Sequence, residues 1–140
     1  MTAVLPAPAT LPAGVRCVTL TDALPGFPRH REYVLVAAEP TGLLCWLQSV
    51  APDGPRFLVV PPGPYVPGYA PRLPGGLLAD LGLDRQDEAT LYCLVTVPDG
   101  DVRSATANLR APLVVNAATG QARQVVLADG ALPIRHALRR

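Results

Sequence analysis

The chain contains no lysine; all 12 of its basic side chains are arginine. Its formal net charge is only +1, which provides no strong field to steer a polyanion. Aromatic residues make up 5% of the chain, too few for the stacking platforms that bind single-stranded nucleic acid. Two small basic clusters, Arg29-His30-Arg31 and Arg135-His136 with Arg139 and Arg140, therefore read as solvated loop charge, and no direct nucleic-acid partner is expected. No apolar run reaches the roughly 20 residues that span a bilayer. No charged stretch precedes the apolar N-terminal residues, and Pro6, Pro8 and Pro12 interrupt them. The chain is therefore expected to be cytoplasmic, with neither secretory signal nor membrane contact.

The catalytic repertoire is equally sparse. There are two serines, Ser49 and Ser104, and two histidines, His30 and His136, and neither serine sits in a G-x-S-x-G elbow. The C-x-x-C and H-x-x-x-H pairs of metal sites are missing, as are the glycine spacing and lysine of a phosphate loop. Cys17, Cys45 and Cys93 are odd in number, far apart and each set in an apolar run, so they read as reduced core thiols. A Cys93–His136 pair is the one nucleophile–base combination left open. The expectation is a protein that is not an enzyme and carries no cofactor.

What is present is a 49% hydrophobic chain of 140 residues, enough for a single core. Its 17 prolines argue against long helices and suit short strands and turns. Residues 1–14 are Ala/Pro-rich without periodicity and read as a mobile arm, leaving 15–140 as one domain. Strands are expected at Val15–Leu20, Tyr33–Ala37, Leu43–Val50, Arg56–Val60 and Thr90–Val97, with a hairpin of Leu113–Asn116 and Arg123–Leu127. The tail from Pro133 reads as loop or a final short strand. Gly75–Gly82 is the one convincing helix, with a further helical turn at Asp84–Glu88. Leu24-Pro25-Gly26-Phe27 reads as a turn that presents Phe27 to the core, and Pro98-Asp99-Gly100 as a type I turn. The nearly continuous apolar runs of the second and third strands imply burial on both faces or a closed sheet. The fold class is thus mostly β: a small antiparallel barrel-like sheet with one or two short helices.

Binding candidates follow from residue chemistry. Tyr65 and Tyr69 lie in a segment stiffened by Pro61, Pro62, Pro64, Pro67, Pro71 and Pro74, and tyrosine favours interface hot spots. Asp84, Asp87 and Glu88 read as a solvated face. Trp46 is expected in the core, and Asn108 and Asn116 are expected to satisfy backbone groups at strand ends.

Four phrases occur in a telling order: Leu24-Pro25-Gly26-Phe27, Trp46-Leu47-Gln48-Ser49, the run Thr106 to Asn116 (TANLRAPLVVN), and Gln124-Val125-Val126-Leu127. Together they resemble the flagellar assembly factor family, FliW, over roughly residues 15–137. The motif positions are Pro25, Gly26, Phe27, Trp46, Gln48, Asn108, Pro112, Asn116 and Gln124, most of which read as fold-specifying. The resemblance implies a non-enzymatic β protein, monomeric when free. It implies binding to the RNA-binding homodimer CsrA, antagonism of its repression of flagellin mRNA, and sequestration by unassembled flagellin; an acidic patch suited to a basic partner would be made by Asp80, Asp84, Asp87, Glu88, Asp99 and Asp101. A chaperone that binds flagellin only, or a small-molecule-binding β-barrel, are the alternatives.

Overall fold

Short apolar runs rich in β-branched and aromatic residues, punctuated by Pro and Gly, set the strands in the computed structural model, which describes residues 15–138. The arm expected at 1–14, and Arg139 and Arg140, lie outside the described residues. The strands are β1 (Val15–Leu20), β2 (Glu32–Ala37), β3 (Cys45–Ser49), β4 (Arg56–Val60), β5 (Ala89–Thr96), β6 (Thr106–Ala107), β7 (Leu113–Asn116), β8 (Gln121–Gln124) and β9 (His136–Ala137). They form one sheet in the order β4-β3-β2-β1-β8-β7-β5-β6-β9, and β4 also pairs with β5. That pairing closes a seven-stranded barrel and leaves β6 and β9 as a short extension beyond it. Every pairing is antiparallel except β1 with β8.

The barrel is filled by its own side chains. Val18, Leu20, Tyr33, Leu35, Leu47, Val59, Leu113, Val115 and Ala122 point inward and are buried, with Phe57, Tyr92 and Leu94 packed on them. This leaves the small-molecule-barrel alternative without a chamber. The continuous apolar runs reflect closure of the sheet; burial on both faces does not hold for β2 and β3, where buried residues alternate with less buried ones.

Two caps cover part of the outer wall. Helix α1 (Gly75–Asp80) lays Leu77 and Leu81 with Leu73 and Leu83 over Val114 and Leu91. Its end is a Schellman motif: Leu83 N–H donates to Leu78 C=O (2.8 Å) and Gly82 N–H to Ala79 C=O (3.1 Å). Gly82 supplies the left-handed residue this needs, with φ 72°. The proline-rich segment covers Val60 and Cys93 with Tyr65, Val66 and Tyr69.

Several expectations are corrected. The second hairpin strand is Gln121–Gln124, earlier than Arg123–Leu127; Val125 and Leu127 instead donate backbone bonds to Pro112 and Arg110. The helical turn expected at Asp84–Glu88 narrows to the 3-10 turn Gln86–Glu88. Asp99 has φ 52° and ψ 25°, so the Pro98-Asp99-Gly100 turn is not type I, which needs a negative φ there. Trp46 is not core: it lies on the outer wall, half-buried, with the Arg56 guanidinium 4.3 Å above its ring. Phe27 is half-buried and reaches the core only through an edge-to-face contact with Phe57, their ring centroids 5.2 Å apart. Cys45 and Cys93 are buried free thiols, but Cys17 is half-buried on the outer wall.

Candidate protein-binding groove

A proline-rich chain cannot join a sheet, so residues 66–72 run outside the barrel as a wall. The chain after β8 does the same over residues 127–133 on the opposite side. Between them lies an open groove of about 710 Å³. Its floor is Leu109 with Leu127 and Leu132, its sides include Tyr69 and Pro133, and its charged rim carries Arg72, Asp129 and His136.

The TANLRAP run builds this floor. Asn108 Oδ1 accepts from the backbone N–H of Arg110 (3.0 Å) and Ala111 (3.1 Å), a side-chain-closed turn that sets Leu109 between β6 and β7. Arg110 then reaches across: Nε donates to Leu132 C=O (2.8 Å) and Nη2 to Gly130 C=O (2.7 Å). Leu109 N–H donates to Pro133 C=O, so one wall is tied to the floor at three points. The other wall is tied by Tyr69, whose hydroxyl donates to Leu109 C=O (2.6 Å). Burial and the neighbouring Cys93 thiol push the Tyr69 hydroxyl well above its ordinary pKa, so it stays a donor. Tyr65 is tied similarly, its hydroxyl donating to Leu43 C=O (3.1 Å).

The groove is therefore rigid and apolar, with charge only at its edge. Burial also pushes the Cys93 thiol up to about 11, leaving it protonated and unsuited to nucleophilic attack. Cys93 is fully buried against Tyr69, while His136 lies on the groove rim. A Ser–His approach, Ser49 Oγ to His30 Nδ1 at 3.3 Å, has its hydroxyl also accepting from Ala51 N–H. Ser49 is buried beneath the turn at Gly54, where a Cβ would come 2.2 Å from Ser49 Oγ, which closes off a substrate's approach. Among the described residues, no group of three His, Cys, Asp or Glu could hold a metal ion, and no helix is long and apolar enough to cross a membrane.

The candidates from sequence separate into different places. Tyr69 lines the groove, and Tyr65 packs under the same proline segment. Asp84, Asp87 and Glu88 are exposed and are not in its lining. They do not make a bare acidic patch. Arg85 bridges Asp87 at 3.1 Å and Glu88 at 3.9 Å, Arg123 bridges Asp80 at 3.3 Å, and Arg103 bridges Asp101 at 3.5 Å. Glu88 also accepts from the backbone N–H of Asp84 and Arg85, closing its own turn. Of the six acids, only Asp84 and Asp99 have no such arginine among the described residues.

The other motif residues hold the scaffold. Pro25 and Gly26 form a type II turn, Phe27 N–H donating to Leu24 C=O (2.9 Å) with Gly26 at φ 87°. Pro112 is fully buried. Gln124 Nε2 donates to Ala111 C=O (3.0 Å). Asn116 is buried and joins two elements, donating to Leu81 C=O at the end of α1 (2.8 Å) and accepting from Ala118 N–H (3.0 Å). Gln48 is exposed on β3 beside Arg56. Leu109, Arg110, Leu127 and Leu132 were not singled out from sequence, although all but Leu132 stand inside the quoted motifs.

Known proteins bear on this arrangement. A family model described as FliW protein matches residues 13–138. A flagellar assembly factor FliW of Bdellovibrio bacteriovorus is 40% identical over 118 residues, covering 84% of this chain and 67% of the relative. One of Moorella thermoacetica is 35% identical over 117 residues, covering 84% of this chain and 74% of the relative. A crystal structure of the flagellar assembly factor FliW superimposes with a TM-score of 0.78 at 29% identity, covering 89% of this chain and 86% of that one.

Proposed function

The chain belongs to the FliW protein family, whose curated relatives are named flagellar assembly factors, and from that premise we propose that it is a cytoplasmic, non-enzymatic partner switch in flagellum biogenesis. In this reading it binds the CsrA homodimer, lifting repression of flagellin mRNA, and unassembled flagellin displaces CsrA from it. The supporting observation is the apolar groove fixed by Tyr69 and Arg110: a rigid floor loses little entropy on docking a protein segment. Exclusive occupancy by either partner couples the two affinities reciprocally.

Calorimetric titration with the host's purified CsrA, with and without saturating flagellin, tests this. Saturable CsrA binding that flagellin abolishes is the expected outcome. A ternary complex holding both partners would end the switch. A flagellin-binding chaperone is the second reading, favoured by the arginine pairing of Asp80, Asp87, Glu88 and Asp101, which removes an acidic surface suited to a basic, RNA-handling partner. Flagellin binding with no heat from CsrA would support it.

A further inference from the structure

The polar groups inside the groove are already engaged. The Tyr69 hydroxyl donates to Leu109 C=O, and Asn108 Oδ1 accepts from Arg110 and Ala111 N–H. The backbone N–H groups of Leu109, Leu127 and Leu132 donate to Pro133, Arg110 and Asp129 C=O. The surface left open belongs to Val66, Pro67, Leu132 and Pro133. Such a surface takes apolar side chains, and discrimination between segments falls to the rim. The rim differs in kind. Arg72 on one wall is exposed and has no ion pair among the described residues. Arg135, beside His136, is likewise exposed without an ion pair. Arg110, which ties the other wall, bonds to neutral carbonyls and has no carboxylate within ion-pair distance among the described residues. Against these stands Asp129, whose carboxylate accepts from Ala131 N–H (2.9 Å) and closes its own turn.

We infer that the groove takes an apolar segment of a protein partner flanked by acidic side chains, with Arg72 and Arg135 receiving the flanks. This names the chemistry of the occupant and rests on the docking role proposed above. Arginines at both walls against a single carboxylate make the rim electropositive, although the whole chain has a net charge of only +1. A guanidinium forks onto a carboxylate with two parallel hydrogen bonds, which fixes the register of an acidic flank. Each exposed pair contributes little by itself. Its sign nevertheless decides which segments are accepted, because a basic flank meets like charge on the rim. Nucleic acid fits this surface poorly. Among the described residues the lining has one aromatic, Tyr69, and it is bonded to the floor, so bases find no stacking platform. The groove thus reads the sign of a segment's flanks as well as its apolar centre, and a partner whose docking segment is basic has to bind elsewhere.

The probes are a fluorescein-labelled peptide of leucines flanked by glutamates and its twin flanked by lysines, each titrated with the full chain by fluorescence anisotropy. The glutamate peptide should bind saturably and about tenfold more tightly than its twin at low salt, the gap closing as salt is raised. The double variant Arg72→Glu, Arg135→Glu should reverse the preference. Both side chains are exposed, and far-ultraviolet circular dichroism checks that the variant folds. If it does not, Arg72→Gln alone should narrow the gap. Amide shifts in the full chain on adding the glutamate peptide should centre on Leu109, Leu132 and His136. Failure of both peptides to bind, equal affinity for the two, or a preference that survives the charge change would overturn the inference. So would shifts centred away from the groove, or single-stranded RNA binding there more tightly than the glutamate peptide. The titrations with CsrA and flagellin keep the two readings apart. If either protein binds while the peptides are not told apart, the sign rule alone falls. If the peptides are told apart while neither protein binds, the partner switch falls and the preference of the groove stands.

Discussion

Replacing Asn116 by alanine should remove more stability than any other single polar truncation in the motif region. Asn116 is 6% exposed, and its amide serves two backbone groups at once. Leu81 C=O, at the end of α1, loses its donor; Leu81 is fully buried, so little water can substitute. An unsatisfied buried carbonyl costs about 2 kcal/mol, and the lost Ala118 N–H bond adds about 1 kcal/mol. The sum of about 3 kcal/mol corresponds to a fall in Tm of roughly 10 °C for a domain of this size. Asn116→Asp keeps the acceptor for Ala118 but sets a carboxylate oxygen against Leu81 C=O, so at pH 7 it should melt lower still. Thermal melts followed by circular dichroism, with urea titrations at one temperature, read both effects. A fall of less than about 3 °C, with Asp no worse than Ala, would refute the assignment of Asn116 as the joint between helix and barrel.

Further outcomes can be checked with the same equipment. Asn108→Ala removes the acceptor for two N–H groups and should lower stability by about 1–2 kcal/mol, while partner affinity measured well below Tm changes little. Arg110→Ala should weaken partner binding in calorimetry more than it lowers Tm, because Arg110 holds the groove wall at Gly130 and Leu132. Gly120→Ala should be severely destabilising, by about 3 kcal/mol or more in urea titration, since Gly120 has φ 82° and an added Cβ would come 2.5 Å from Cys17 C=O. The native Cys93 pKa of about 11 lies above its ordinary value of 9, so stability is full below pH 9 and declines as pH rises towards 11. Urea titrations at pH 8 and pH 10 should show this decline, and Cys93→Ala should reduce it.

Strands bracketed by turn residues could be read closely from sequence, as Val15–Leu20, Arg56–Val60 and Leu113–Asn116 show. Each is an apolar or β-branched run whose ends are marked by Gly, Pro, Asp or Asn. The two-residue strand β6 could not be read, and β9 only as one of two readings of the tail from Pro133, because they exist only through pairing with one another and with β5. β8 misled for a related reason. It is polar and takes its place from β1 and β7, whereas of the apolar residues after it Val125 packs with the α1 cluster, Val126 is exposed and Leu127 lines the groove. Trp46 was misplaced because an apolar strand in a closed barrel looks the same whether its outer side is covered or bare. The groove was hidden because its walls lie some 60 residues apart in the chain and meet only through the Tyr69 and Arg110 bonds.

The barrel closes along two narrow seams. β1 meets β8 through Thr19 with Gln121 and Leu20 with Ala122, and β4 meets β5 through Val59 with Leu94 and Val60 with Cys93. β1–β4 form a meander built from adjacent sequence, and both of its free edges wait for residues synthesised much later. The molecule is thus two shells hinged edge to edge, and the seams are its lines of cleavage. Breathing that begins there wets Tyr33, whose buried hydroxyl has no protein partner among the described residues, before it disturbs either shell. Amide hydrogens of Thr19 and Thr21, which donate across the β1–β8 seam to Gly120 and Ala122 C=O, should therefore exchange ahead of those within the meander, such as Leu20, which donates to Arg31 C=O, and the order of exchange would trace how the two shells part.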